Sequence, residues 1–377
     1  MTKILVINSS PEKNCLLMHA FKELAQKKFS FSLWSAEQPI IEQFREKNWP
    51  AKKIYLGPEL NNYFNLILYA WLFLFLQFKF LLALSILKFK RQIDLIVCFN
   101  FNEKIIFTLP ARLLGLKVVW LEGTELNYRR LNCLLAALYR LNGKLAKIIA
   151  FSNFSKLQLK NLGLAENKIE LVAPGAKLAS FQENIFNKLA VANQANYHRK
   201  YFTVGAITAL NQKQKIEAIF QAIKISLPLI PNLQLIIIGG GEERKSLTWL
   251  AKKMEIENLV WLVGEQEQLK KWLDSFDVFL AAGDKLMLDD YGHIIEALAA
   301  GLPVLAPRNI GLEDLIIENK TGALHEADNS EMLARQIIKL RQDKKLRQHL
   351  GKNGRERIKQ LFTMENMVGE MERIFIS

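Results

Sequence analysis

Apolar and polar positions follow two rhythms along this chain. Short runs rich in Val, Ile, Leu and Phe stand at residues 3–8, 29–34, 53–56, 94–99, 117–121, 146–151 and 168–172, and between most of them apolar residues recur every three or four positions. The runs predict strands and the spaced stretches predict helices. Their repeated alternation predicts a parallel, doubly wound α/β sheet. The rhythm restarts after residue 200, with strands predicted at 201–207, 233–238, 259–263 and 277–282. Residues 182–200 between the halves are polar and poor in strand formers, as a linker is. The reading is a first domain over 1–180, a linker over 181–200, a second domain over 201–361 and a closing helix over 362–377.

Residues 63–88 break the rhythm, because 17 of the 19 positions from 66 to 84 are apolar and the polar ones, Gln77 and Lys79, share no stripe. The segment passes a transmembrane length test. A central Lys at about +3 kcal/mol, with a further cost for Gln77, largely offsets its Leu, Ile and Phe content. Topology decides the matter: a spanning helix would put strands 3–8 and 94–99 on opposite sides of a bilayer, where one sheet cannot hold both. The prediction is a helix lying in a membrane interface, with Lys79, Lys88, Lys90 and Arg91 reaching headgroups. A buried helix or a subunit contact is the alternative.

Composition adds bounds. A length of 377 residues favours two domains, and 50% apolar content is ample for two cores. Lys and Arg exceed Asp and Glu by 51 − 37 = 14, which draws the protein to anionic surfaces. No basic and aromatic stripe accompanies the charge, so nucleic acid is not expected as a partner. Cys15, Cys98 and Cys133 are too scattered for a disulfide framework or a zinc site and fit a reducing compartment. Neither a metal cluster nor a signal-peptide pattern is visible, and neither a metal nor a cofactor is expected. The location predicted is cytoplasmic, peripheral on the inner face of the cell membrane.

Ligands of such sheets bind beyond the carboxyl ends of strands. That singles out the loops Ser9-Ser10-Pro11, Asn100 to Glu103 and Glu122-Gly123-Thr124-Glu125 in the first half. In the second half the stretch Asp289-Asp290-Tyr291-Gly292-His293-Ile294-Ile295-Glu296, ending in Ala-Leu-Ala-Ala-Gly301-Leu-Pro303-Val, opens a helix and closes on an apolar strand. Free N–H groups near Gly292 and His293 would hold phosphate at the positive end of that helix. Glu296, one turn on, suits sugar hydroxyls.

This stretch resembles the donor-binding motif of family 4 glycosyltransferases of the GT-B fold, in which a first glutamate stands eight residues before the second. Glu296 matches the second glutamate. Leu288 stands where the first belongs, with Asp289 and Asp290 one and two places late. The order of other motifs carries the resemblance from about residue 150 to 375. Pro174-Gly175 closes the first domain, a lysine at Lys215 would hold the donor diphosphate with Lys213 as competing candidate, and Gly239-Gly240-Gly241 follows a strand. Gly264 and Glu265 stand where backbone contacts to the base fall, and Gly311-Leu312-Glu313-Asp314, then Thr321-Gly322, look like the family's Gly-x-x-Glu and Thr-Gly. Gly205 marks the first glycine, but Ala206 follows where an arginine usually comes soon after. Glu122 stands where a His-Gly or His-Asp usually touches the donor sugar.

The resemblance implies two Rossmann-like domains facing a cleft, with terminal helices crossing back to the acceptor-side first domain. It implies a retaining, metal-independent enzyme moving a sugar from a nucleotide-diphosphate donor to a membrane-associated or cell-surface glycan or lipid acceptor. Lys215 and the N–H groups at Gly292 and His293 would stabilise the leaving diphosphate, Glu296 would orient the ribose, and Asp290 or Asp289 would hold sugar hydroxyls beside Tyr291. Ser9, Ser10, Glu122, Gly123 and Thr124 would line the first domain's side. A GT-B enzyme of other chemistry, such as a phosphorylase or sugar-nucleotide epimerase, and a non-catalytic membrane scaffold are the alternatives.

Overall fold

Most strands of this chain are apolar on both faces, and that decides how they assemble. A strand such as Leu95–Cys98, buried at every position, can only sit inside a sheet covered on both sides. The computed structural model describes residues 1–9, 15–56, 63–123, 133–177, 201–282, 288–308 and 311–377. These form two compact units, one of residues 1–173 with 367–377 and one of residues 174–366.

The first unit runs β1 (Thr2–Ile7), α1 (Cys15–Ala25), β2 (Phe29–Ser35), α2 (Gln38–Glu46), β3 (Ala51–Lys53), α3 (Tyr63–Phe89), β4 (Leu95–Cys98), α4 (Phe101–Leu113), β5 (Lys117–Glu122), α5 (Cys133–Gly143), β6 (Lys147–Ala150), α6 (Asn153–Asn161) and β7 (Ile169–Leu171). Its sheet has the order β3-β2-β1-β4-β5-β6-β7, and every pairing is parallel. The strand expected at 53–56 lies two residues earlier, where Leu33 pairs with Ala51. Residues 367–377, most of α13 (Met364–Ile376), also belong to this unit, with Phe375 packed edge-on against Phe29.

The second unit repeats the plan with β8 (Phe202–Ile207), α7 (Lys213–Ser226), β9 (Leu233–Ile238), α8 (Arg244–Lys253), β10 (Val260–Gly264), α9 (Leu269–Ser275), β11 (Val278–Leu280), α10 (Leu288–Ala299), β12 (Val304–Pro307), β13 (Gly322–His325), α11 (Ser330–Gln342) and α12 (Lys344–Leu361). The order is β10-β9-β8-β11-β12-β13, again parallel. Strand β13 was not foreseen, since four residues are too few for periodicity to show. The division between the units falls at 173/174, and the linker placed at 181–200 lies outside the described residues.

Helix α3 is the one described helix long and apolar enough to cross a membrane, yet β3 before it and β4 after it share one sheet. One face explains its place: Leu76, Phe80 and Leu84 enter the core, and Phe80 meets Phe107 of α4 with ring centroids 4.4 Å apart. Gln77, one of its two odd polar residues, donates to the Ile105 carbonyl of α4 at 3.2 Å. The opposite face is bare, with Phe75, Phe78, Leu82, Ile86 and Phe89 exposed, Phe89 to 91%. Lys88 was expected to reach headgroups; instead its Nζ caps the end of α4 by donating to the Leu114 carbonyl.

Candidate functional site

In a doubly wound sheet the two strands at which the order reverses send their following helices to opposite faces, which opens a crevice beyond their carboxyl ends. The first unit has this point at β1 and β4, and the second at β8 and β11. The two crevices are chemically opposite.

The first is filled by the protein itself. Glu103, in the first turn of α4 and fully buried, accepts from the Ser9 N–H at 2.5 Å, the Phe99 N–H at 3.0 Å and the Asn100 N–H at 2.9 Å. Its carboxylate sits where a phosphate docks in a nucleotide-binding domain of this type. Burial pushes its pKa up to about 7, against the pull of the N–H groups of Asn100, Phe99 and Ser9. Sequence reasoning marked the loop from Asn100 to Glu103 but gave this residue no role of its own. The signal was there, because a Glu-Lys pair interrupts an otherwise apolar helical run.

The neighbouring Lys104 is buried too and holds Glu122 at 2.6 Å, with 3% and 2% of the two side chains exposed. Tyr139 also donates to that Glu122 oxygen, and Trp120 donates to Thr108 at 2.9 Å beside them. Glu122, expected to line the first domain's cleft, is corrected to a member of this internal network. A carboxylate so far from water needs its lysine there. Among the described residues nothing lies within 4 Å of where a Cβ on Gly123 would stand, and Ser9 Oγ accepts from the Ala36 N–H at 3.0 Å. Ser10 and Thr124 lie outside the described residues.

The second crevice is bounded by loops that glycines hold in place. After β8 the loop over Thr208–Gln212 is clamped by the glycine run: Leu210 donates to the Gly240 carbonyl at 2.8 Å, and Gly239 donates to the Gly264 carbonyl at 3.0 Å. A Cβ on Gly239 would lie 1.9 Å from the Thr208 oxygen, and one on Gly241 would lie 2.4 Å from the Leu210 backbone. Both have positive φ, so these glycines are required by the close approach of two loops. Their function is to fix where α7 begins. Gly205 is not part of this loop. It lies buried inside β8, and a Cβ there would lie 2.1 Å from the Phe276 ring, so the expectation of a donor contact is corrected to one of core packing.

Helix α7 starts at Lys213 without a side-chain cap and without an acid in its first turn. Lys213 and Lys215 therefore face a positive helix end, at about 0.3–1 kcal/mol each, a cost that a bound anion reverses. Helix α10 differs. It begins at Leu288, one turn before the point expected, because Asp289 and Asp290 favour a helix start. The unpaired N–H groups thus fall on its first turn, and those of Gly292 and His293 are inside the helix, which corrects their expected role as phosphate donors. Tyr291 and Gly292 are buried. Gly264, at φ 89°, turns the chain out of β10 and leaves Glu265 exposed.

Glu296 is the most informative side chain of the unit. Its Oε2 is shut off from solvent and has no hydrogen-bond partner, while His293 Nδ1 approaches to 3.7 Å, an ion-pair distance. Burial acts to lower the His293 pKa, but Glu296, backed by Asp289 and Asp290, outweighs it and the net shift is upward. The α7 and α10 starts flank the same switch point because they follow neighbouring strands. Together they offer two lysines, a histidine favoured in its cationic form and a carboxylate oxygen lacking a donor. Among the described residues no group of three or more His, Cys, Asp or Glu is placed to hold a metal ion.

The comparisons with known proteins agree with this plan. Among solved structures, HepE of Anabaena in complex with UDP superposes with a TM-score of 0.76 at 16% identity over 99% of each chain. A glycosyltransferase of Rickettsia africae superposes at 0.77, also at 16% identity, over 99% of this chain and 97% of that one. Among curated proteins, the N-acetyl-alpha-D-glucosaminyl L-malate synthase of Bacillus anthracis is 23% identical over 55% of either chain. The capsular polysaccharide biosynthesis glycosyltransferase CapM of Staphylococcus aureus is 26% identical over 60% of either chain. The matched part thus spans little more than half the length of these two relatives. Residues 191–357 match the family model of glycosyl transferases group 1, and the chain's fold is the one shared by GT-B glycosyltransferases.

Proposed function

We propose that the protein is a glycosyltransferase that moves a sugar, with retention and without a metal ion, from a nucleotide-diphosphate donor to a membrane-associated or cell-surface glycan or lipid acceptor. The observation that carries the reading is Glu296 Oε2 beside the second switch point, shut off from solvent and without a hydrogen bond, with only the His293 ring at 3.7 Å. A buried acceptor left without a donor costs about 1–3 kcal/mol, and a ligand hydroxyl removes that cost. Lys213 and Lys215 at the start of α7 then take the diphosphate, and their charge stabilises the negative charge that grows on it as the glycosidic bond breaks. A protonated His293 adds to that field, and Asp289 and Asp290 are near enough along α10 to accept from sugar hydroxyls. The filled crevice of the first unit favours the second unit as the donor's place. UDP in the HepE complex and the naming of CapM for capsular polysaccharide support the donor and acceptor classes.

The membrane part of the reading rests on α3. Its exposed Phe75, Phe78, Leu82 and Ile86 form one stripe, Lys79, Lys90 and Arg91 lie along or just past it, and the chain's charge of +14 favours an anionic leaflet. A peripheral place on the cytoplasmic face follows from the same features.

Donor turnover and calorimetric UDP titration of the full chain test the first part. Glu296→Ala and Lys215→Ala should each lower donor affinity or turnover about ten- to hundred-fold, the equivalent of about 1.5–3 kcal/mol for a hydrogen bond to a charged group. Wild-type values in both variants would remove the donor site from this crevice. For the second part, flotation with anionic vesicles should lose the protein when Phe75 and Phe78 become Ser, and unchanged flotation would end the interface reading.

A further inference from the structure

A trough lies on the outer part of the second sheet, away from the switch point. Strands β9 and β10 form its floor, α9 forms one wall, and it encloses about 950 Å³. Tyr201, Trp261 and Trp272 line it together with Gln234, Gln266 and Lys271. It stays open because α9 has only seven residues, too few to cover two strands.

Trp261 is the unusual element. It stands on the edge strand β10, is 54% exposed, and among the described residues its indole makes neither a ring contact nor a hydrogen bond. Edge strands are ordinarily guarded by charge or proline, and a bare indole there is the kind of apolar surface that marks a binding site. Trp272 is half-buried and uses its N–H on Gln266 at 3.3 Å, which presents its ring to the same space.

The chemistry of the lining selects the occupant. A pyranose has a face of C–H bonds and a rim of hydroxyls. Aromatic rings cover the first, and amides and carboxylates pair with the second. Glu265 and Glu267 against Lys271 leave the lining net acidic, which disfavours nucleic acid or any other polyanion. The lining extends from Glu265, past the carboxyl end of β10, to Tyr201, before the amino end of β8. That is about the length of a six-residue strand, roughly 20 Å, and it suits a row of sugar rings better than a single base.

We propose that this trough binds an uncharged glycan chain along Tyr201, Trp261 and Trp272, at a site that meets the switch-point crevice only at Glu265, which lies beside Gly240. It needs no nucleotide and does not rest on the donor reading. The test titrates the full chain with cellohexaose, maltohexaose and chitohexaose, followed by tryptophan emission and by saturation-transfer spectra of the sugar. At least one hexaose should bind saturably, Trp261→Ala and Trp272→Ala should each weaken it ten-fold or more, Trp261→Phe should keep most of the affinity, and excess UDP should not displace it. Failure of all three sugars, equal binding by the tryptophan variants, or displacement by UDP overturns the proposal. Should Trp272→Ala melt early, the exposed Trp261 variants decide. The UDP thermal shift, measured on the same samples, separates the two sites, since its loss with hexaose binding intact counts against the donor reading alone.

Discussion

Replacing Glu103 by Gln would turn the filled crevice of the first unit into a measurable quantity. Burial raises the Glu103 carboxyl from 4.5 to about 7, and the N–H groups of Asn100, Phe99 and Ser9 oppose it. The folded state therefore holds the proton more tightly than the unfolded chain does. The stability this contributes is fully present below pH 4.5 and is lost as the pH rises to about 7. Going from 4.5 to about 7, at about 1.36 kcal/mol per pH unit, is worth about 3 kcal/mol. Glutamine has no such titration, so its stability curve should be flat over the window in which the wild type declines. Amide exchange of the peptides covering β1 and β4, corrected for the intrinsic pH dependence of exchange, reads the local opening free energy at pH 5, 6, 7 and 8. If the two proteins show parallel slopes, or the wild type gains stability with pH, the three N–H donors hold the carboxylate ionised and burial does not dominate.

Other outcomes follow from the same geometry. Lys104→Met strands the buried Glu122 carboxylate and should cost about 3–5 kcal/mol in urea unfolding of the first unit, and adding Glu122→Leu should recover most of it. A stable single variant would show the pair to be dispensable. Gly205→Ala drives a methyl into the buried Phe276 ring and should cost about 1–3 kcal/mol by thermal unfolding, with Phe276→Leu restoring part of it. Because the His293 pKa is raised, its favourable pairing with Glu296 is complete below the usual histidine range and is lost as the pH climbs through the raised value. UDP affinity should fall over that window in the wild type and stay level in His293→Gln, as measured by titration calorimetry.

The alternation of strands and helices was readable in advance because both faces of every central strand are covered, so the runs are continuously apolar and end in turn residues. β8, β9 and β12 lie where the pattern put them, and the placement of α10 before an apolar strand was equally plain. Short edge elements were less legible. β3 moved by two residues and β13 went unseen, since three or four residues hold too little periodicity to register. In the second unit, Glu296 and the two lysines could be marked as candidates from the order of motifs that the resemblance supplies. The phosphate-facing N–H groups could not, because the extra turn of α10 depends on Asp289 and Asp290 acting on the helix dipole.

The sequence by itself determined the architecture class, the two-part organisation and a long apolar helix between two strands, because these depend on local periodicity and on chain order. Only the tertiary structure decided what the charged residues do. Glu103 closes one crevice, Glu122 joins a buried lysine, Gly205 makes room for Phe276, and Glu296 keeps an oxygen without a donor. The physical reason is that burial and partner choice are set by residues distant along the chain: 94 residues separate Ser9 from Glu103, and 71 separate Gly205 from Phe276. A charged side chain reads the same in a sequence whether it meets water, a lysine or a row of N–H groups.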